Sequence, residues 1–128
     1  LIKLFAIRDE DLSSFDPISS FMRKIEVAKI SELPLGTMMG LEIESKRILL
    51  ANVDGKLYAM DGLCSHMAGR LWEGTMEGYI VKCPKHGSRF DLRTGEVVSQ
   101  VRIPLIGKAK PLGTYKTSVE GEYVFIDI

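Results

Sequence analysis

Both cysteines and both histidines of the chain fall between residues 64 and 86, as Cys64-Ser65-His66 and Cys83-Pro84-Lys85-His86. Neither residue type occurs anywhere else. Two thiolate sulfurs and two imidazoles, paired as C-x-H and C-x-x-H, make a four-ligand set for a metal centre. This set constrains the fold strongly, because two loops well apart in sequence must meet over one centre. In an extended segment residues i and i+2 point the same way, so Cys64 and His66 can reach that centre together. Pro84 stiffens the turn between Cys83 and His86.

The remainder of the chain supplies the support. Ile25 and Val27 alternate with Lys24 and Glu26, and Pro34 and Gly36 then break the run. Leu41 and Ile43 alternate with Glu42 and Glu44. Residues 48–53 meet residues 56–60 across Asp54-Gly55, a strong two-residue hairpin signal. Tyr115, Thr117 and Val119 alternate with Lys116 and Ser118, and Glu120-Gly121 turns the chain into residues 123–128. No segment sustains a 3.6-residue period, so the expectation is an all-β domain over residues 24–128. Residues 1–23 differ, with an apolar start, an acidic Asp9-Glu10-Asp11 cluster and Ser13 to Pro17. Met22 precedes the first clean strand pattern, which leaves two readings open: an upstream extension, or an extra element packed on the domain edge.

The chain's 128 residues, 45 % hydrophobic and 27 % charged, suit one domain with its own core. Seventeen basic and seventeen acidic residues cancel, which argues against nucleic acid or an anionic membrane as partner. If both cysteines are ligands, neither remains for a structural disulfide, consistent with a reducing cytosol. The longest apolar runs are far too short to span a bilayer, and no signal-peptide cleavage site follows residues 1–7. The expected location is cytoplasmic, with no membrane anchor.

Three metal readings fit the ligands alone. Structural zinc takes four N/S ligands, but its pairs are usually of one type, whereas each pair here is mixed. A mononuclear catalytic iron needs two histidines plus a carboxylate. A [2Fe–2S] cluster can take both cysteines on one iron and both histidines on the other.

The stretch CSHMAGRLWEGTMEGYIVKCPKHGSRFDLRTGEVV resembles the cluster-binding region of Rieske ferredoxins, and the similarity extends over much of residues 24–128. Beyond the ligands, Gly69, Leu71, Gly74, Gly87, Phe90, Asp91, Thr94 and Gly95 match the family pattern, as does Pro111-Leu112…Tyr115. The resemblance implies a Rieske iron-sulfur fold: antiparallel sheets with a small cluster-binding subdomain at about residues 61–97, formed by two ligand loops. It implies that Cys64 and Cys83 bind an inner iron and that His66 and His86 bind an outer one. It further implies a one-electron carrier rather than an enzyme, monomeric in isolation. Such a carrier takes electrons from a flavin-dependent reductase and passes them to an oxygenase or another reductase.

Departures from the family narrow this further. Rieske proteins of quinol-oxidising complexes have one more cysteine in each ligand loop, joined as a disulfide; Gly69 and Lys85 stand there instead. A serine and a tyrosine bond cluster or ligand sulfur in those proteins. Ser88 keeps the first hydroxyl, and Phe90 replaces the second. Each donor to sulfur stabilises the reduced cluster, so the expected potential lies low in a range of roughly −150 to +300 mV, lifted somewhat by Ser88. Rieske-fold small subunits of nitrite reductases and soluble domains of quinol-oxidising complexes are the alternatives. Retention of all four ligands opposes the former, and the missing disulfide cysteines oppose the latter.

Smaller expectations attach to single residues. Gly87 suits a positive φ beside the cluster, and Asp91 suits closure of its loop through backbone amides. Trp72 and Met67 are cluster shields or ordinary core. Pro104 fits a proline-bearing cover loop. Arg70, Lys85 and Arg89 suggest a basic rim, although Glu73, Glu77 and Asp91 interrupt it.

Overall fold

The computed structural model describes residues 2–5, 23–65, 68–85, 87–99 and 109–128. Among them are strands and two short 3-10 turns, Ile30–Glu32 and Leu71–Glu73, with no α-helix. This is the all-β architecture expected from the period-2 patterns and frequent turns.

Strands β3 (Met38–Ile43), β4 (Lys46–Val53) and β5 (Lys56–Asp61) form an antiparallel meander. Asp54 and Gly55 join β4 to β5 with φ of 52° and 93°, the left-handed pair that a tight hairpin demands. Glu44 and Ser45 turn β3 into β4 the same way, with φ of 48° and 72° but no glycine. On the flanks, β10 (Thr114–Tyr115) pairs with β5, and β1 (Ile2–Phe5) runs parallel to β3. Apart from Ile2–Phe5 and Arg23, residues 1–23 lie outside the described residues, as do Met67 and Pro104.

Residues 48–53 are all buried, which identifies β4 as a strand covered on both faces. Ile48 and Leu50 join Leu41, Ile43 and Ala59 in one core, against Val27, Val124 and Ile126. Leu49, Ala51 and Val53 enter a second core with Met60, Trp72, Phe90 and both cysteines. Buried Asn52 is satisfied: its Nδ2 donates to the Leu33 carbonyl at 2.8 Å, and its Oδ1 accepts the Gly55 N–H at 2.9 Å.

The first core is closed by a three-stranded sheet of order β11 (Thr117–Glu120), β12 (Tyr123–Asp127) and β2 (Lys24–Lys29). A register shift pairs Val124 with Ala28 and Phe125 with Glu26, leaving Val27 as the extra residue of a bulge. Consecutive Val27 and Ala28 are therefore both buried. The second core is closed by a meander of β6 (Thr75–Glu77), β7 (Ile80–Lys82), β8 (Arg89–Asp91) and β9 (Val97–Ser99). The central sheet thus lies between two smaller ones, and both cysteines belong to the side carrying the four-stranded meander.

Candidate metal centre

Cys64 and Cys83 begin two loops that share one backbone design. Each loop is closed at its base by an antiparallel pair, Leu63 with Arg70 and Lys82 with Arg89. In the first, the Cys64 N–H donates to the Gly69 carbonyl and the Ala68 N–H donates to the Cys64 carbonyl, both at 2.8 Å. In the second, the Cys83 N–H donates to the Ser88 carbonyl at 2.8 Å, and the Gly87 N–H donates to the Cys83 carbonyl at 3.0 Å. The offsets from cysteine are identical in the two loops. The fourth residue after each cysteine has a left-handed φ, 52° at Ala68 and 81° at Gly87. Gly87 therefore has the conformation expected of it, and Ala68 carries the same one at a steric cost.

Both cysteines are buried, and neither is in a disulfide. Gly69 leaves room for the second sulfur: a Cβ at position 69 would stand 2.7 Å from Cys83 Sγ. The stem of Lys85 crosses the same glycine, with Cγ at 3.4 Å and Cδ at 3.5 Å from that hypothetical Cβ. His66 and His86 lie outside the described residues.

Ser88 is 1 % exposed, and its hydroxyl has no hydrogen-bond partner among the described residues. A buried hydroxyl without an acceptor is costly. Here it belongs to the residue whose carbonyl holds the Cys83 N–H. Two buried soft sulfurs, a glycine making room for one of them and a donor still lacking an acceptor fit an iron–sulfur cluster, whose sulfurs accept hydrogen bonds.

Trp72 fixes this subdomain to the central sheet. A Cβ at Gly40 would lie 2.5 Å from its Cδ2, and one at Gly62 would lie 2.9 Å from its Cζ3, so the indole occupies a slot cut by two glycines. Phe90 is fully buried in the same core. Asp91 acts through Arg93: Oδ1 accepts the Arg93 backbone N–H at 2.8 Å and its Nε–H at 3.1 Å, while Oδ2 accepts the Nη2 group at 2.9 Å. The hydrogen bonds from Arg93 hold the carboxyl below its ordinary range. The Arg93 guanidinium in turn lies 4.5 Å from the centre of the Tyr79 ring.

The basic residues near the loops do not share one environment. Arg70 pairs with Glu73 at 3.4 Å. Arg89 sits directly opposite Lys82, and its Nη1 approaches the Ser99 hydroxyl at 3.4 Å. The Pro111-Leu112…Tyr115 segment stood out in the sequence only as a match to the family pattern; its bonds to the first loop and to β5 were not foreseen. Ser65 bonds the Lys110 backbone twice, and Asp61 holds Gly113 and Tyr115. Nothing in the spacing of Ser65 or Asp61 announces partners so far along the chain.

Paired loops that bury two cysteines over an all-β base, beside a buried hydroxyl with no partner among the described residues, fit the class of small metal-cluster domains suited to electron transfer. The chain belongs to the Rieske [2Fe-2S] domain family, whose model matches residues 23–110. The ferredoxin component of a naphthalene 1,2-dioxygenase system from Pseudomonas aeruginosa is 36 % identical over 104 residues, which cover 81 % of this chain and 94 % of that protein. A ferredoxin from Sphingomonas yanoikuyae B1 shares the fold with a TM-score of 0.69 and 29 % identity, over 83 % of this chain and 99 % of its own. A chain from the complex of reduced oxygenase and oxidized ferredoxin in carbazole 1,9a-dioxygenase aligns with a TM-score of 0.69 and 27 % identity, over 80 % of this chain and 91 % of its own. The protein is an electron carrier of the Rieske type rather than a catalyst. No helix among the described residues is long and apolar enough to cross a membrane.

Proposed function

We propose that Cys64 and Cys83 hold the inner iron of the cluster, that His66 and His86 hold the outer iron, and that the Ser88 hydroxyl donates to a cluster sulfur. The observation that carries this reading is the matching closure of the two loops, which gives Cys64 and Cys83 equivalent places over one core. When bound, the cluster takes up and releases one electron at a time. The protein's own residues then set the conditions. Leu71, Trp72 and Phe90 pack the base of the site and exclude water, and the Ser88 donor favours the more negative, reduced form.

The partners we assign are a reductase, flavin-dependent in the simplest scheme, as electron donor and an aromatic-ring dioxygenase as acceptor. The names of the relatives support this choice. We read residues 24–128 as the Rieske domain, residues 61–97 as its cluster-binding part and residues 1–23 as an extension or edge element, a reading supported by the pairing of Ile2–Phe5 with β3 at the edge of the central sheet. The protein is assigned to the cytoplasm as a monomer when free. Reconstitution tests the assignment. NADH, dissolved O2, a dioxygenase-system reductase and a naphthalene dioxygenase oxygenase component should together hydroxylate substrate only when this protein is added. Loss of turnover in Cys83→Ser and His86→Ala is expected. A system that works as well without the protein, or with Cys83→Ser, overturns it.

A further inference from the structure

Ser65 separates the two proposed ligands of the first loop, and one distant residue engages its hydroxyl twice. Its Oγ donates to the Lys110 carbonyl at 2.5 Å and accepts the Lys110 backbone N–H at 2.8 Å. Serine hydroxyls in loops commonly bond their own neighbouring backbone. This one spans 45 positions and uses donor and acceptor on a single residue.

Lys110 is itself firmly held. Ala109 and Leu112 are buried in the core that contains both cysteines. The Leu112 N–H donates to the Gly95 carbonyl at 2.8 Å, which ties residues 109–115 to the turn after β8. The Gly113 N–H donates to Asp61 Oδ2 at 2.8 Å, and the Asp61 N–H returns a bond to the Gly113 carbonyl at 2.9 Å. The Tyr115 hydroxyl donates to Asp61 Oδ1 at 2.6 Å. Residues 109–115 therefore brace the site at three points: the first loop at Ser65, the end of β5 at Asp61, and the turn between β8 and β9 at Gly95.

We infer that Ser65 is a positioning residue: its paired hydrogen bonds to Lys110 fix the peptide between Cys64 and His66 and so set how the first loop's sulfur and imidazole are presented together. The inference rests on the four-ligand reading above. Loop residues 64–69 are closed at the base by bonds from Cys64 to Ala68 and Gly69. The Ser65 hydroxyl adds a restraint from outside the loop, through both of its bonds to the Lys110 backbone. Groups that orient ligands from behind act on the metal without touching it.

The test compares Ser65→Thr with Ser65→Val, which differ in hydroxyl against methyl. Three properties are read on the cluster-loaded proteins: EPR line width, midpoint potential and the rate of iron loss to a chelator. The fold of the cluster-free proteins is followed by circular dichroism. The expected result is that Thr matches the parent, whereas Val broadens the EPR features, shifts the potential and loses iron about tenfold faster. If Val matches Thr and the parent, or if Thr and Val are impaired alike, the hydroxyl does not position the loop and the inference fails. If Val alone unfolds the cluster-free protein, Ser65 supports the fold instead, and the positioning role is overturned. A parent protein lacking any Rieske EPR signal would refute the underlying ligand assignment, an outcome distinct from these.

Discussion

Gly69 lies so close to Cys83 that a Cβ on the glycine would stand 2.7 Å from the cysteine sulfur. The sulfur of the second loop is thus accommodated by a missing side chain in the first. Gly69→Ala has to displace Sγ or separate the loops, and either movement disturbs the cluster. Overpacking of this kind costs roughly 1–3 kcal/mol. The variant should fold but retain less iron than the parent, because either displacement weakens the hold on the cluster. Iron and sulfide content per chain, measured beside the thermal midpoint, checks this.

Ser88→Ala should act with opposite signs in the two forms of the protein. Without the cluster, it removes a buried hydroxyl that has no acceptor among the described residues, so stability should hold or rise by up to about 1 kcal/mol. With the cluster, it removes a donor to sulfur, so the midpoint potential should fall. Urea denaturation of the cluster-free protein and a redox titration of the loaded one give the two readings. An unchanged potential would show that the hydroxyl does not meet sulfur.

Gly95 has a φ of 76°, and a Cβ there would stand 1.9 Å from the Leu112 carbonyl oxygen. That carbonyl belongs to the brace, and backbone cannot swing aside as a flexible side chain can. Gly95→Ala should cost more than about 1 kcal/mol, since it adds a clash to a left-handed backbone. Ala68→Gly provides the contrast. Its φ of 52° already strains an alanine, so glycine should be neutral or stabilise by up to about 1 kcal/mol. Denaturant midpoints of the two variants should therefore move in opposite directions or differ sharply.

Burial and then the bond to Asp61 push Tyr115 ionisation above its ordinary value. The fold therefore favours the neutral phenol. The resulting stability is fully present below the unfolded-state pKa of about 10 and is lost as pH rises beyond it. Tyr115→Phe should cost about 1 kcal/mol near neutrality by removing the hydrogen bond, and should flatten the alkaline loss. Urea midpoints at neutral pH and above pH ~10 check both parts.

The sequence made the hairpin at Asp54-Gly55 legible because left-handed turns favour that pair. The matching turn at Glu44-Ser45 escaped notice, since neither residue signals a positive φ and the long pairing of β3 with β4 imposes it. The apolar run in β4 announced a strand, but periodicity cannot distinguish one buried face from two. The alternation through Tyr115, Thr117 and Val119 reads as a single strand. In the fold it divides at Lys116, with β10 in the central sheet and β11 in another. Cys64 and Cys83 stood out because the chain has no other cysteine. The likeness of their loops was hidden, because C-x-H and C-x-x-H differ while the shared closure lies in backbone bonds at Gly69 and Ser88. Ser65 and Asp61 were hidden for a related reason: their partners are backbone or distant side chains, which leave no local pattern.

The most direct test of the central claim is an EPR-monitored redox titration of the purified protein from about pH 6 to 9, across the range of imidazole ionisation. The expected result is a Rieske-type signal with a nearly pH-independent midpoint in the lower part of the roughly −150 to +300 mV span, lifted somewhat by Ser88. A midpoint well above zero that falls as pH rises would contradict the reductase-fed carrier. Bound zinc with no iron signal would contradict the cluster itself.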